Sequence, residues 1–282
     1  MKNIIIILLI SASSILFISL SFKDKVSDTS PNQKYKLILD SKKLDANTIS
    51  TWFRNNGNFN SPFEWPKGSN KFARYSSGLW LGARVGNDTL VAIAEYDYEY
   101  LPGYTDNNGV PQGQNDSLYR IYRLNFGIND PDRMNWPNLL LGNSNQGAPV
   151  YFDAQTNTWR PLDFGHQTMF YRYTDSYPFA HQNRAGSTAP LKADVMKLNF
   201  AIDVPGGLAD VAFSQFTIIN RSTNTWNNAY ITIWTDDDLG NFNDDLVGCD
   251  SARGLGYTYN ATNNDPIYGP APPAVGFLML RG

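Results

Sequence analysis

Glutamate is nearly missing from this chain. Glu64, Glu95 and Glu99 are the three in 282 residues, so the acidic side is almost wholly aspartate. Cysteine occurs once, at Cys249, which excludes an intramolecular disulfide and a cysteine-based metal site made by this chain alone. The two histidines, His166 and His181, stand in the loop-like contexts "DFGHQT" and "FAHQNR". Neither has the paired spacing of a metal site, and no nucleophile elbow accompanies them. Charged residues are scarce at 17%, the net charge is −3, and lysine and arginine form no cluster. That argues against a nucleic-acid partner and against binding to an anionic membrane.

Aromatic side chains are abundant instead, at 14%, with Asn, Asp, Gly, Ser and Thr supplying most of the polarity. Few helix formers and many turn formers predict strands joined by loops. The expected fold is mainly β: an antiparallel β-sandwich, Ig-like or jelly-roll-like, with long loops and one short helix. Lys2 precedes an uncharged run from Ile4 to Phe22, and Ser19 and Ser21 near its end suit signal-peptidase cleavage after Ser21. Residues 1–21 therefore read as a signal peptide, with a retained membrane anchor as the alternative. The expected location is secreted or at the cell surface, with no membrane contact beyond this segment. Residues 22–36 read as a linker, 37–175 as a loop-rich β region, and 176–282 as a β-sandwich region carrying an Asp-rich loop.

Asp45 is expected to cap a helix over "ANTISTWFRNNG", with Leu44 and Ile49 as its hydrophobic staple and Asn-Asn-Gly as its stop. Strands are expected at 78–85 and 89–100, joined by the hairpin signal "GND", and at 117–124 and 167–175. Residues 125–165 show little periodicity and read as ordered loops, because Trp136 and Trp159 are costly to leave in water. In "VMKLNFAIDV" (195–204), Met196, Leu198, Phe200, Ile202 and Val204 alternate with polar or small residues, predicting one buried face. With 210–220 and 229–235, this strand is expected to form an antiparallel sheet of three successive strands.

Two acidic clusters carry chemical possibilities. "TDDDLGNFNDDLVGCD" (235–250) holds six aspartates in sixteen positions. Calcium takes six to eight hard oxygens, and Asp236, Asp238, Asp244 and Asp245 with backbone carbonyls are candidate ligands around Gly240. The spacing is not that of an EF-hand, and a solvated turn whose aspartates cap backbone N–H groups is the bland alternative. In "EYDYEY", a strand would set Glu95, Asp97 and Glu99 on one face, with neighbours roughly 6.5 to 7 Å apart. That spacing suits the acid–base pair of an inverting glycosidase, although any acidic alternating strand shares it. Trp52, Trp65, Trp80, Tyr100 and Tyr104 are candidate ligand-binding aromatics, because a flat apolar ring beside hydrogen-bonding Asn and Asp matches a sugar. Filling of the core is the competing role for each of them.

The segments 64–83, "YPFAHQNRAGSTAPLKA" (177–193), "FTIINRS" (216–222) and 234–260 together resemble a family of large, mostly uncharacterised exported proteins of Bacteroidota and related bacteria. Such proteins typically carry a C-terminal sorting domain for type IX secretion, which does not lie within these residues. The chain is accordingly expected to be a fragment or to be retained by another route. The resemblance implies location and architecture more than activity. The expected role is a non-catalytic, calcium-stabilised module that binds glycan or another surface component. A secreted polysaccharide-active hydrolase and a purely structural envelope protein are the alternatives.

Overall fold

The computed structural model describes residues 39–182 and 186–280 together with the strand Ile4–Leu9. The linker at 22–36 and the cleavage site lie outside the described residues. In chain order the main strands are β1 (Ile4–Leu9), β2 (Ser41–Leu44), β3 (Ser50–Arg54), β4 (Asn58–Glu64), β5 (Phe72–Arg74) and β6 (Ser76–Val85). Then come β7 (Asp88–Ala92), β8 (Tyr122–Asn125), β9 (Val150–Asp153), β10 (Thr158–Pro161), β11 (Gln167–Thr174) and β12 (Ala193–Ala201). The series closes with β13 (Ala212–Asn220), β14 (Asn227–Asp236), β15 (Asp245–Asp250), β16 (Leu255–Asn260) and β17 (Ala274–Met279).

A nine-stranded sheet runs β8–β11–β12–β13–β1–β17–β16–β15, with the short strand Leu101–Pro102 also on β11. A seven-stranded sheet runs β14–β6–β4–β3–β2, with β5 on β4 and β7 on β6. All these pairings are antiparallel. Phe53, Phe59, Phe63, Leu79 and Leu81 from the smaller sheet meet Tyr171, Tyr173, Val195, Phe216, Ile218 and Val275 from the larger in one core. The fold is thus a β-sandwich. Each sheet takes strands from both of the regions that the sequence suggested, 37–175 and 176–282.

The expected helix, 46–57, is instead a bend, β3 and the turn 55–57 that leads into β4. Ile49 and Thr51 are β-branched, Trp52 and Phe53 are aromatic, and such residues fit a pleated, half-buried surface better than a helix. Asn47 takes the Ile49 amide through its side chain and donates to the Val211 carbonyl, which diverts the segment from a helical start. Asn-Asn-Gly is therefore a hairpin turn, with Gly57 at φ +88°. The one α-helix among the described residues lies elsewhere, at Pro131–Met134.

The three successive strands do not share a sheet. β12 pairs with β13 from Ala193↔Asn220 to Ala201↔Ala212, whereas β14 crosses over to pair with β6. The connection between β13 and β14 is six residues, Arg221 to Trp226, long enough to span the roughly 10 Å between packed sheets.

The buried face of β12 is also the reverse of the one its pattern suggests. Lys197, Asn199 and Ala201 are fully buried, and Lys197 points between the sheets toward Phe53, Phe59 and Phe216. Met196 and Leu198 face away and pack with Tyr122, Leu124, Trp136 and Phe170 in a second core. The loops of residues 125–165 form the outer wall of that second core, with the Trp136 indole N–H donating to the Pro149 carbonyl at 2.9 Å. A strand covered on both sides need not alternate cleanly.

Candidate functional site

The aspartate loop leaves the end of β14, where the chain turns out of the smaller sheet toward β15 in the larger one. Its first three acids have separate tasks. Asp236 accepts from the Tyr96 hydroxyl, whose ring lies edge-on to Trp234. Asp237 takes the Arg74 guanidinium through Nε and Nη2 and also accepts from Thr258 at 3.0 Å. Arg74 is wholly buried, its guanidinium 4.1 Å from the centre of the Phe277 ring. Asp238 is held above the usual carboxylate range by burial and then by the charges of Asp236 and Asp237.

The second half of the loop is built on Asp265. Its carboxylate accepts from the amides of Asn241, Ile267 and Tyr268 at 2.7 to 2.9 Å and from Asn260 Nδ2 at 3.3 Å. Gly240 lies against it at φ +67°, and a Cβ there would fall 1.9 Å from Asp265 Oδ2. Only glycine fits this approach. Asp245 accepts the Leu239 amide at 2.6 Å through Oδ2. Its carboxyl is pushed up to about 6, mainly by burial, then by Asp238, Asp244 and Asp265, against the lowering effect of the Leu239 amide.

Three oxygens around the loop, Asp244 Oδ1, Asp245 Oδ1 and Asn260 Oδ1, are buried without a hydrogen-bond donor among the described residues. Such groups ordinarily find a partner. Among the described residues, however, no three His, Cys, Asp or Glu side chains converge as a ready-made metal site. A cation here would rest on Asp244 and Asp245 with the Asn260 amide oxygen and backbone carbonyls. Asp236 is already engaged by tyrosine.

The five aromatic candidates do not make one platform. Tyr100 is fully buried, donates to the Ala92 carbonyl at 3.0 Å and meets the edge of Tyr173. It fills the core and cannot stack on a ligand. Trp80 and Trp65 spend their indole N–H groups on the Ala94 carbonyl at 3.1 Å and on Asp210 at 2.6 Å. Tyr104 stacks on Tyr119, with the Arg172 guanidinium 5.1 Å from its ring centre. Trp52 borders a polar cleft with Ser41, Arg54, Ser61 and Pro62, its ring beside the Lys43 ammonium.

Exposed aromatics are scattered over the surface, Tyr96, Tyr230 and Phe242 among them, and one paired set lies where sequence reasoning expected packed loops. Phe152 and Trp159 are cross-strand partners on the β9–β10 hairpin, 48% and 41% exposed, with ring centres 5.4 Å apart. Tyr151 is also exposed and is paired with Arg160, which forms a 2.8 Å salt bridge to Asp153. Leu139 and Leu140 are exposed on a short 3₁₀ turn against β10. The signal was present in "VYFDAQTNTWRP": two short aromatic runs around a polar turn, which reads as a hairpin.

The carboxylates of "EYDYEY" are not on a strand. The Glu95 amide donates to Asp97 O and the Glu99 amide to Ile93 O, both at 2.8 Å, which folds the segment into a tight bend. Glu95 and Asp97 lie toward the surface, whereas Glu99 is fully buried. Its carboxylate accepts the Ile93 amide at 3.0 Å and the Ser187 amide at 3.3 Å, 3.6 Å from His181 Nδ1. Asp175, equally buried, accepts the amides of Leu191 and Ala193, and its Oδ2 lies 3.3 Å from His181 Nε2. Burial works to lower the His181 pKa, but Asp175 and then Glu99 outweigh it and hold the pKa above the ordinary value. This closed acid–histidine–acid cluster pins the loop after β11 to the bend after β7. His166 accepts the Asp203 amide through Nδ1.

Compared with models of protein families, with curated proteins and with solved structures, the chain matches none of them.

Proposed function

We propose that this chain is an exported, non-catalytic β-sandwich module, secreted or held at a bacterial cell surface, whose β9–β10 hairpin binds glycan. The observation that carries the reading is the solvent-facing pair Phe152 and Trp159. Apolar rings left in water cost free energy unless they serve a contact. Thr156 and Asn157 in the turn and Thr158 at the start of β10, with Arg160 and Asp153 beside them, supply the hydroxyls, amide and charges that orient a sugar. We favour this reading over the hydrolase alternative, whose strand spacing is replaced by a bend and whose Glu99 is buried in a clasp. The family resemblance and the uncharged N-terminal run agree with export.

We further propose that calcium binds the aspartate loop through Asp244, Asp245 and Asn260. Three donorless oxygens favour it. The ion stiffens the rim and takes no part in a reaction.

The test of the glycan reading is binding to a panel of soluble polysaccharides, followed by calorimetry on the best of them. F152A/W159A is expected to weaken that binding about tenfold or more, as removal of stacked rings does. W52A and E95Q are expected to leave it unchanged. Undiminished binding by F152A/W159A would remove the hairpin from the site.

A further inference from the structure

β13 and β17 belong to one sheet but do not touch each other through hydrogen bonds. β1 lies between them, paired with β13 from Ile4↔Ile218 to Leu8↔Ser214 and with β17 at Leu8↔Met279 and Leu9↔Leu278. The two banks are staggered: Leu8 is paired to both, Ile4 to Ile7 to β13 alone and Leu9 to β17 alone, so one strand's width, roughly 10 Å, separates them only where they overlap at Leu8. The floor of this gap is apolar. Phe59 of the opposite sheet touches Phe216 on one bank, at 5.8 Å between ring centres, and Phe277 on the other, at 6.3 Å. Ile218 and Val275 flank them, both buried.

The strand that fills the gap is part of the segment that reads as the export signal. Its removal by cleavage would split the larger sheet into β8–β11–β12–β13 and β17–β16–β15. Two rows of backbone N–H and C=O groups would then line an apolar trough. Unpaired edges of this kind are templates for another strand, and strand addition is an established way for one chain to bind another.

We infer that the gap between β13 and β17 is a strand acceptor, opened by export cleavage and filled in the mature protein by an extended apolar strand of a partner polypeptide. This rests on the export reading above. The partner strand runs antiparallel to both banks, and in the register seen here its residues opposite Phe216 and Ile218 share the core-facing side. Those positions require apolar side chains. Residues opposite Gln215 and Thr217 share the other side and tolerate more variety. Specificity would come from this alternation, and affinity from main-chain bonds to β13 along most of the strand and to β17 at its far end.

The test starts from the full chain, carrying T217C and C249S, expressed with export and purified from the exported fraction. Mass measurement of its N-terminus comes first. A chain that retains Ile4–Leu9 overturns the inference, because the gap never opens, and it overturns signal-peptide cleavage with it. On cleaved protein the probe is a synthetic peptide of residues 3–10 flanked by lysines, with cysteine at position 5, the partner of Thr217. A second peptide carries its cysteine at position 4, on the opposite face. Disulfide capture of the position-5 peptide at least tenfold faster than of the position-4 peptide is the expected result. Equal rates, or no capture because β13 and β17 have closed on each other, would overturn the strand acceptor while leaving export intact.

Discussion

Lys197 offers the sharpest check on the core. Its ammonium position is fully buried among Phe59, Phe216 and Phe53, 3.1, 4.5 and 4.9 Å from their ring centres, and Nζ has no hydrogen-bond partner among the described residues. Burial alone drives its pKa well below the ordinary lysine value. An unfolded lysine titrates near 10.4, so below that pH the unfolded chain binds a proton that the folded chain releases. Stability therefore falls as pH drops from 10.4 toward the folded pKa, by at most about 1.4 kcal/mol per unit. At pH 7 the limiting cost is about 4 to 5 kcal/mol, and at pH 9 about 2. K197M keeps the length of the side chain and removes the proton. It is expected to be more stable than the parent by about 2 kcal/mol or more at pH 7, and the gain should shrink as pH rises to 9. Urea unfolding of both proteins at pH 7, 8 and 9 measures this. Higher pH is avoided because burial holds Tyr100, Tyr171 and Tyr173 above the ordinary tyrosine pKa, and their unfolded-state ionisation lowers stability there. A K197M protein that is less stable at pH 7, with a difference independent of pH, would refute the reasoning.

Three further outcomes follow from the aspartate loop. D237A, which strands the Arg74 guanidinium in the core, should cost about 3 to 5 kcal/mol in denaturant unfolding; a loss below 1 would mean the pair is not buried in solution. G240A, which drives a Cβ into Asp265, should cost about 2 kcal/mol or more and lower the melting temperature, whereas G207A, where a Cβ meets open space, should not. In chelator, the raised pKa of Asp245 makes its ionisation unfavourable in the folded state, so its contribution to stability falls as pH rises from about 4 to 6. Thermal scans in calcium should abolish that fall and raise the melting temperature of the parent, and D245N should show neither effect; identical scans with calcium and chelator would leave the loop as an acidic turn.

Strand content and antiparallel pairing were legible in the sequence because they rest on local physics. "GND" between two apolar runs does become the β6–β7 turn, with Gly86 at φ +63°, and the segment 167–175 is β11 with a single residue of difference. What failed depends on partners distant in sequence. Nothing within "ANTISTWFRNNG" reveals that Asn47 reaches Val211 and Thr48 reaches Ala209, more than 160 residues away. Nor does "VMKLNFAIDV" show that residues 125–165 will cover its second face, which is what allows a lysine to sit in the inter-sheet core. Periodicity reports how many faces meet water, and here the answer is set by loops without periodicity of their own.

The same distinction separates the two halves of the candidate site. The aspartates of the loop are contiguous, so their crowding was visible; their division of labour was not, since Arg74 lies 163 residues from Asp237 and Tyr96 lies 140 from Asp236. An acid that looks like a ligand in sequence can be neutralised by a cation the fold brings from elsewhere. Exposure is equally non-local. Tyr100 and Trp159 count alike in a composition, yet one closes the core and the other faces water, because the chain after β7 bends back into the sandwich while, among the described residues, β9 and β10 pair only with each other. A two-stranded hairpin has no second layer to cover its aromatic face. The hairpin at 150–161 keeps Phe152 and Trp159 in water, and that exposure is the property a glycan-binding surface uses.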